Sequence, residues 1–445
     1  MRRVARPMLY LGVVAILLAL AKAHAAWIGH YDLTGSGRLG WTLAYAGVLG
    51  ITAYGFGLPD VPRTRRAAVT ASVGASFTAA AVVSVVQLFL GDALLPRFVV
   101  LGGAVLLPDW YRLCIRMASG GRLRAEARDR VAVVGRPDEV AALDLELHGH
   151  PERPAAVVAS LTIDEALGII GDDLPLLRMH RDQSPTVLVL DRAAQDDDGI
   201  VAQAAILHER GVRVRTLSAF YEEWLGKLPV SELERASLFF DIGELHKARY
   251  GRTKRLIDVP LAVLGLLPLA VVLPLVWAAN RVGDRGPLLY RQERIGKGGA
   301  PFTLLKLRTM TTGGADAPAD TTWTTERDPR ITSIGRVLRK THLDELPQVV
   351  NILRGDLGVV GPRPEQPHYV AELSDKLPFY RLRHLVRPGL TGWAQVKYGY
   401  AASESAALEK LQYEFWYLQH QNLRTDARII GRTVRSVLGS EGSGR

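Results

Sequence analysis

The sequence predicts a membrane protein of mixed class. It has an N-terminal four-helix transmembrane bundle, a Rossmann-like α/β middle domain, and a mainly α C-terminal domain with a re-entrant membrane helix. Three observations carry this expectation. The 445 residues are 48% hydrophobic and 22% charged, too apolar for an ordinary soluble chain and long enough for about three domains. The apolar residues are concentrated in four N-terminal runs and one later run that contains no charge. Between these regions, short apolar runs alternate with helical stretches.

The N-terminal runs cover residues 8–23, 39–58, 67–90 and 98–117, and most approach the roughly 20 residues that a membrane helix needs. Arg2, Arg3 and Arg6 precede the first run, Arg63, Arg65 and Arg66 separate the second from the third, and Arg112, Arg116, Arg122 and Arg124 close the fourth. This bias puts both ends of the 1–118 bundle in the cytoplasm. Pro108, Asp109 and Trp110 are expected to interrupt the fourth helix near the membrane surface. A cleaved signal peptide is the alternative for the first run, with small-residue sites at Ala21-Lys22-Ala23 or Ala23-His24-Ala25. The net charge of +10 therefore largely flanks the membrane, which favours a lipid bilayer over nucleic acid as partner. Cys114 is the single cysteine, so there is no internal disulfide and no zinc-spaced cluster.

Within 119–217, strands are expected at 131–134, 155–159, 186–190 and 212–217, the alternation of a parallel, doubly wound sheet. The first strand ends VVGRPDEV, where Gly135 stands alone although a dinucleotide turn needs three spaced glycines. The module is expected to scaffold, regulate or dimerise, with a homodimer left open. Asp191 and the 196–198 aspartates are expected in a solvated loop. Residues 218–253, including FYEEWLGKLPVSEL, are expected to link this module to the next.

No charge separates Asp258 from Arg281, a length sufficient for a full span. Crossing would place Arg281, Arg285, Arg291, Arg294, Lys297, Lys306 and Arg308 outside, against the charge bias. Pro260, Pro268 and Pro274 would also bend the rod. A re-entrant helix over about 255–280 is expected, kinked at Leu267-Pro268 or Leu273-Pro274. A fifth full span is the alternative.

Residues 336–365 read RVLRKTHLDELPQVVNILRGDLGVVGPRPE. Asp344 is placed as a helix N-cap: Glu345 follows, Pro347 suits a first turn, an apolar run reaches Leu353, and Gly355 ends the helix. Beside Arg336, Arg339 and Lys340, a carboxylate held there would stay ionised at neutral pH and could act as nucleophile or metal ligand. Taken alone, such a pair is more often a simple cap.

Together with GPLLYRQERIG, PFTLLKLRTM and RPGLTGWAQV, this segment resembles the bacterial sugar transferase family, over about residues 250–440. These are polyprenyl-phosphate hexose-1-phosphate transferases that start exopolysaccharide and O-antigen repeat units. The helical and Rossmann-like regions look like those of its large, multi-domain members. The resemblance implies that 254–445 is a catalytic domain at the bacterial inner membrane, with it and the middle domain cytoplasmic. It implies transfer of a sugar-1-phosphate from a UDP-sugar to undecaprenyl phosphate, with release of UMP and delivery to downstream glycosyltransferases. Asp344 falls on the family nucleophile, which forms an acyl-phosphate at the β-phosphorus, and Glu345 would help position Mg2+ or the lipid phosphate.

Lys306 and Arg308 match the family's KFR motif, Arg339 its basic residue before the nucleophile, and Arg363 its Pro-Arg-Pro phosphate clamp. Arg387 and Gln395 belong to the later block. Asp426 matches a late Asp near the metal, so Asp344, Glu345 and Asp426 are the candidate Mg2+ ligands. His342 stands where the family usually has Ser. Trp393 and Tyr398 could stack on a uridine or sugar ring, with a core role as the alternative for Trp393. The stretch LEKLQYEFWYLQHQNL is expected to be an amphipathic helix with Phe415, Trp416 and Leu418 in the lipid interface. The rival functions are a non-catalytic membrane assembly protein of a polysaccharide export system and a nucleotide-sugar oxidoreductase using the middle module.

Overall fold

The computed structural model of the chain describes residues 2–34, 37–59, 65–90, 94–119, 128–150, 154–168, 174–229, 244–282, 286–311, 330–377, 379–398 and 404–438. Arg63, Arg122, Arg124 and Arg285 lie outside them.

The chain opens with α1 (Arg2–His24), α2 (Arg38–Gly55), α3 (Arg65–Leu90) and α4 (Arg97–Ser119). On α1, Ala5, Leu9, Val13, Leu17 and Ala21 recur every fourth residue and all are buried, a stripe along one helix face. From Leu9 on they share a core with Tyr45 and Leu49 of α2, Ala75 and Ala79 of α3, and Val99, Leu107 and Tyr111 of α4. α4 continues through Pro108, contrary to the interruption expected there. Trp110 is anchored on α1 instead, donating to the Leu9 carbonyl at 3.2 Å. It lies over Gly12, where a Cβ would come within 2.1 Å of the ring. By length and composition, helices over Pro7–Gly29, Ala68–Leu88 and Arg97–Ala118 can cross a membrane. α2 is not among these helices: it is 18 residues long, and that length includes Arg38 together with glycine, tyrosine and threonine residues.

The middle unit alternates β1 (Asp129–Val134), α5 (Pro137–Gly149), β2 (Ala155–Leu161), α6 (Ile163–Leu167), α7 (Pro175–Gln183), β3 (Val187–Leu190), α8 (Arg192–Gln195), α9 (Asp198–Glu209), β4 (Arg213–Thr216) and α10 (Leu217–Phe220). The strands form one sheet in the order β2-β1-β3-β4, and every pairing is parallel. Side chains alternate across it: Ala132, Val134, Leu188 and Leu190 face one core, and Val131, Val133, Val187 and Val189 the other. Asp191 is buried, not solvated. Its carboxylate accepts from the Arg136 amide at 2.8 Å and caps α8 through the Ala194 amide at 2.7 Å. It fills the turn after β1, where a Cβ on Gly135 would lie 2.6 Å from it. Asp197 caps α9 in the same way. The first part of the expected linker belongs to this unit: Phe220, Tyr221 and Leu225 complete one sheet core, and buried Lys227 pairs with Glu146 at 2.5 Å. Residues 230–243 lie outside the described residues.

The remaining elements are α11 (Glu244–Val282), the antiparallel pair β5 (Leu289–Ile295) and β6 (Pro301–Leu307), α12 (Ser333–Thr341), α13 (Gln348–Arg354), β7 (Gly358–Val360), α14 (Pro367–Lys376), β8 (Gly389–Thr391), α15 (Trp393–Lys397), α16 (Glu404–His420) and α17 (Leu423–Leu438). β7 and β8 pair in parallel. α11 is one helix containing Pro260, Pro268 and Pro274, and its stretch Tyr250–Arg281 is long and apolar enough to cross a membrane. Residues 411–418 of α16 are all buried, so Phe415, Trp416 and Leu418 pack inside the protein, not in the lipid interface expected. The segment is apolar on too many faces for a surface helix, and its buried Glu414 is neutralised by an arginine.

These elements form one compact unit with α1–α4, and the middle sheet forms the other. Within the first, α17 crosses α2 at Gly55 and Gly431, so closely that a Cβ on Gly431 would lie 2.1 Å from the Gly55 backbone. Arg428 donates to the Tyr54 hydroxyl at 3.3 Å beside the crossing. Gly431→Leu is therefore expected to force the helices apart, at a cost of about 1–3 kcal/mol or more. The check is the thermal melting midpoint of the purified variant in detergent, which is expected to fall below that of the native protein.

Candidate active site

The site is assembled on β6, α12 and the turn that follows α12. Thr332 caps α12 by accepting from the Gly335 amide at 2.9 Å. Gly335 is required there, because a Cβ would lie 2.0 Å from the Thr309 carbonyl oxygen. The helix ends where His342 adopts a left-handed conformation, φ 56°. A single 3-10 turn, Leu343–Glu345, then carries the acidic pair. α13 starts at Gln348 with Pro347 at its N-cap, and no side chain caps it. Asp344 is thus not a helix cap. The reversal at His342 leaves it one turn short of α13, held inward toward β6.

Asn351 fixes the turn relative to the strand. Fully buried on α13, it accepts from the Leu305 amide at 3.0 Å and donates to the Thr303 carbonyl at 2.7 Å. The strand position between these partners and Leu307 belongs to Lys306, whose ammonium donates to Glu345 Oε1 at 2.8 Å. Arg363 approaches the same oxygen at 3.6 Å. Asn351 was not singled out from the sequence; an asparagine inside the apolar run VVNILR was the available signal, since a buried amide must find partners.

The two carboxylates sit in different electrostatic environments. Burial raises the Asp344 pKa above the ordinary aspartate value, and Lys306, Arg339 and His342 offset this incompletely. Desolvation thus opposes the ionised form of Asp344, which the neighbouring cations favour. Burial also works against Glu345, but Lys306 and Arg363 outweigh it and hold the carboxyl down at about 2. The arrangement sets a fixed anion, neutralised by two cations, beside a second carboxylate whose charge is costly.

The other sequence candidates divide. Arg339 is at the site, with its Nε donating to Thr309 Oγ1 at 3.0 Å. Arg308 is buried, and its guanidinium donates to the Pro287 carbonyl at 2.9 Å, bracing the entry to β5. Arg387 is half-buried just before β8, and its carbonyl lies against Gly361. Asp426 belongs to a separate knot: Lys254 at 2.6 Å and Tyr250 at 2.7 Å donate to Oδ2, and Tyr417 at 2.9 Å donates to Oδ1. These bonds join α11, α16 and α17. Trp393 is a core residue, stacked on Trp416 at 4.8 Å with Lys397 and Arg432 over its ring. Gln395 lines a cleft with Arg363, Glu365 and Lys410.

A membrane-associated chain with a carboxylate pair set among lysine and arginine defines a class of site suited to anionic, phosphate-bearing substrates. The family model for bacterial sugar transferases matches residues 249–440, which contain all of this site. The chain is 34% identical over 255 residues to UDP-N-acetylgalactosamine-undecaprenyl-phosphate N-acetylgalactosaminephosphotransferase of Aeromonas hydrophila, covering 57% of this chain and 58% of that protein. It is 40% identical over 201 residues to UDP-glucose:undecaprenyl-phosphate glucose-1-phosphate transferase of Caulobacter vibrioides, covering 45% and 74%. Exopolysaccharide production protein ExoY of Sinorhizobium fredii is 36% identical over 206 residues, covering 43% and 88%. The chain belongs to the bacterial sugar transferase family. It spans a little over half the length of the Aeromonas protein.

Proposed function

We propose that the protein is a phosphoglycosyl transferase of the bacterial inner membrane. It moves a sugar-1-phosphate from a UDP-sugar to undecaprenyl phosphate and releases UMP, as the first membrane step of exopolysaccharide or O-antigen assembly. The observation that carries this reading is the cluster of Asp344, Glu345, Lys306 and Arg363, in which Lys306 and Arg363 hold Glu345 while the adjacent Asp344 carboxylate, under the charge of Lys306 and Arg339, makes no hydrogen bond among the described residues. Membership of the family supports the general reaction.

A carboxylate oxygen of Asp344 attacks the β-phosphorus of the donor, the bond from phosphorus to the bridging oxygen breaks, and UMP leaves with that oxygen. The lipid phosphate then attacks the phosphosugar on Asp344, which restores the carboxylate. Lys306, Arg339 and Arg363 neutralise the diphosphate so that an anion can approach it, with Arg387 of the later block as a further phosphate-binding candidate. Glu345 holds Lys306 in place and assists at the phosphate.

Asp344 and Glu345 would hold Mg2+, which in such sites takes one or two carboxylates and completes its shell with substrate phosphate and water. Among the described residues no three or more His, Cys, Asp or Glu come together as a metal-holding group, so Asp426 does not join Asp344 and Glu345 in one. When bound, the metal ion would supply further neutralisation of the phosphates. Asp426 fits this role less well, because both of its oxygens are engaged by Lys254 and two tyrosines.

The re-entrant reading of α11 is supported by packing at two levels of its apolar stretch. Ala262 packs with Leu304 of β6 and Val349 of α13, and Val276 packs with Leu307 of β6 and Leu338 of α12. Those positions are 14 residues apart, about 21 Å along a helix, and each shares its apolar cluster with a residue of β6. Packing against the catalytic fold at both levels, together with the basic residues that follow the helix, supports a reading in which its two ends lie on one side of the bilayer. A cysteine introduced as Lys297→Cys in a Cys114→Ser background is expected to react with an impermeant thiol reagent only after cells are opened. Labelling of intact cells would contradict this topology. The reaction itself is tested with purified protein, undecaprenyl phosphate and a panel of UDP-sugars: UMP release from at least one is expected, and none from any would overturn the reading.

A further inference from the structure

We infer that Arg383 is a positioning residue for Arg363, acting through the backbone of the Pro362-Arg363-Pro364 segment. This rests on the phosphate-binding role proposed for Arg363. Two prolines flank that arginine, and proline has no amide hydrogen to donate. The segment is therefore held through its carbonyls. The oxygen of Pro362 accepts from the Gly389 amide at 2.9 Å, that of Pro364 from Arg294 Nη1 at 3.1 Å, and that of Glu365 from the Ile295 amide at 2.9 Å. The carbonyl of Arg363 itself accepts from Arg383 Nη2 at 2.9 Å.

Arg383 is built for this contact. It lies in a 3-10 helix, Tyr380–Leu385, and is 4% exposed. Its Nε and Nη2 form a fork on Glu414 of α16, at 2.8 and 2.7 Å, and Glu414 is 5% exposed. Nη1 donates to the Tyr380 hydroxyl at 3.0 Å. Three of its directions are thus fixed by buried partners, and the remaining Nη2 hydrogen is aimed at the Arg363 carbonyl. A buried ion pair is a weak source of net stability compared with apolar residues of the same volume. What apolar residues cannot provide is a rigid, charged donor at this oxygen. Lysine cannot provide it either, because one ammonium cannot grip Glu414 bidentately and still span to the carbonyl. The chain of contacts runs Glu414, Arg383, Arg363 backbone, Arg363 guanidinium, Glu345, Lys306.

The test is a double-mutant cycle on kcat/KM for the UDP-sugar, using Arg383→Lys, Arg363→Ala and both together. Arg383→Lys is expected to lower kcat/KM by about 10–100-fold in the native background, the scale of a misplaced catalytic contact. In the Arg363→Ala background it is expected to cost less than about twofold, since nothing remains to be positioned. A purely structural role would give equal losses in both backgrounds and would overturn the inference. If Arg383→Lys fails to fold, as judged by thermal melting, the paired Arg383→Met, Glu414→Met variant keeps the core apolar and filled and is expected to give the same non-additivity. UDP affinity measured by calorimetry provides a second reading of the same cycle. Wild-type turnover with additive losses removes this inference alone; absence of both turnover and UDP binding removes the proposed reaction with it.

Discussion

Asp344→Asn is expected to abolish UMP release, by at least about a thousandfold, while the protein inserts and folds as before. Asparagine has the same shape but no nucleophilic oxygen charge. The substitution removes no partner, since the Asp344 carboxylate makes no hydrogen bond or ion pair among the described residues. It also removes the desolvation that raises the pKa of this side chain, so the variant should be no less stable than the native protein. The measurement is UMP release per mole of protein that migrates as folded in detergent. Undiminished turnover would mean that the carboxylate pair is not the site of chemistry.

Lys306→Met is expected to have the next largest effect, through two consequences of one lost charge. Lys306 is the largest of the charge effects that hold the Asp344 pKa down and the first of those that depress Glu345. Asp344 must be ionised to attack, so activity falls as pH is lowered through its raised pKa. Without Lys306 that pKa rises further, and the acid limb of the rate profile moves to higher pH. At the pH optimum a loss of about 100- to 1,000-fold in kcat is expected, the scale for removing one preorganised charge partner of a developing phosphate. Stability follows Glu345. Its folded pKa of about 2 lies below the ordinary glutamate value of 4.5. Its contribution is therefore complete above pH 4.5 and lost as pH falls toward 2. In Lys306→Met this contribution is smaller, and what remains is lost over a narrower range nearer pH 4.5. A pH-rate profile with unchanged acid limb would contradict the electrostatic assignment.

How much of this was legible in the sequence depends on the range of the interaction. Hydrophobic runs and charge bias located α1, α3, α4 and α11, because transfer of apolar surface depends on local composition. The alternation of short apolar runs located β1–β4 within a few residues. Long-range pairings were not legible. Phe415, Trp416 and Leu418 read as a membrane face, because nothing local reveals that α16 is enclosed on all sides. Asp191 read as solvated although its amide partner is 55 positions away.

At the site, the Asp344-Glu345 pair and its basic neighbours could be recognised as a motif, but the local geometry inferred from them was wrong. The N-cap expectation assumed that the helix continues from the acidic pair, and the left-handed His342 and the intervening 3-10 turn displaced it. Lys306 and Arg363 flank Glu345 from 39 and 18 positions away, so their convergence follows from strand pairing and proline-shaped backbone. Asn351 and Arg383, which set those two residues, carry no chemistry of their own and so left no motif.

The central claim is that the phosphosugar passes through Asp344. It is tested most directly by incubating the protein with a UDP-sugar labelled at the β-phosphate, with acceptor omitted, and locating the label by peptide mapping. Stoichiometric label is expected on the peptide containing Asp344, with no label in Asp344→Asn and full discharge when undecaprenyl phosphate is added. Turnover at the normal rate with no label on the protein at any time would contradict it.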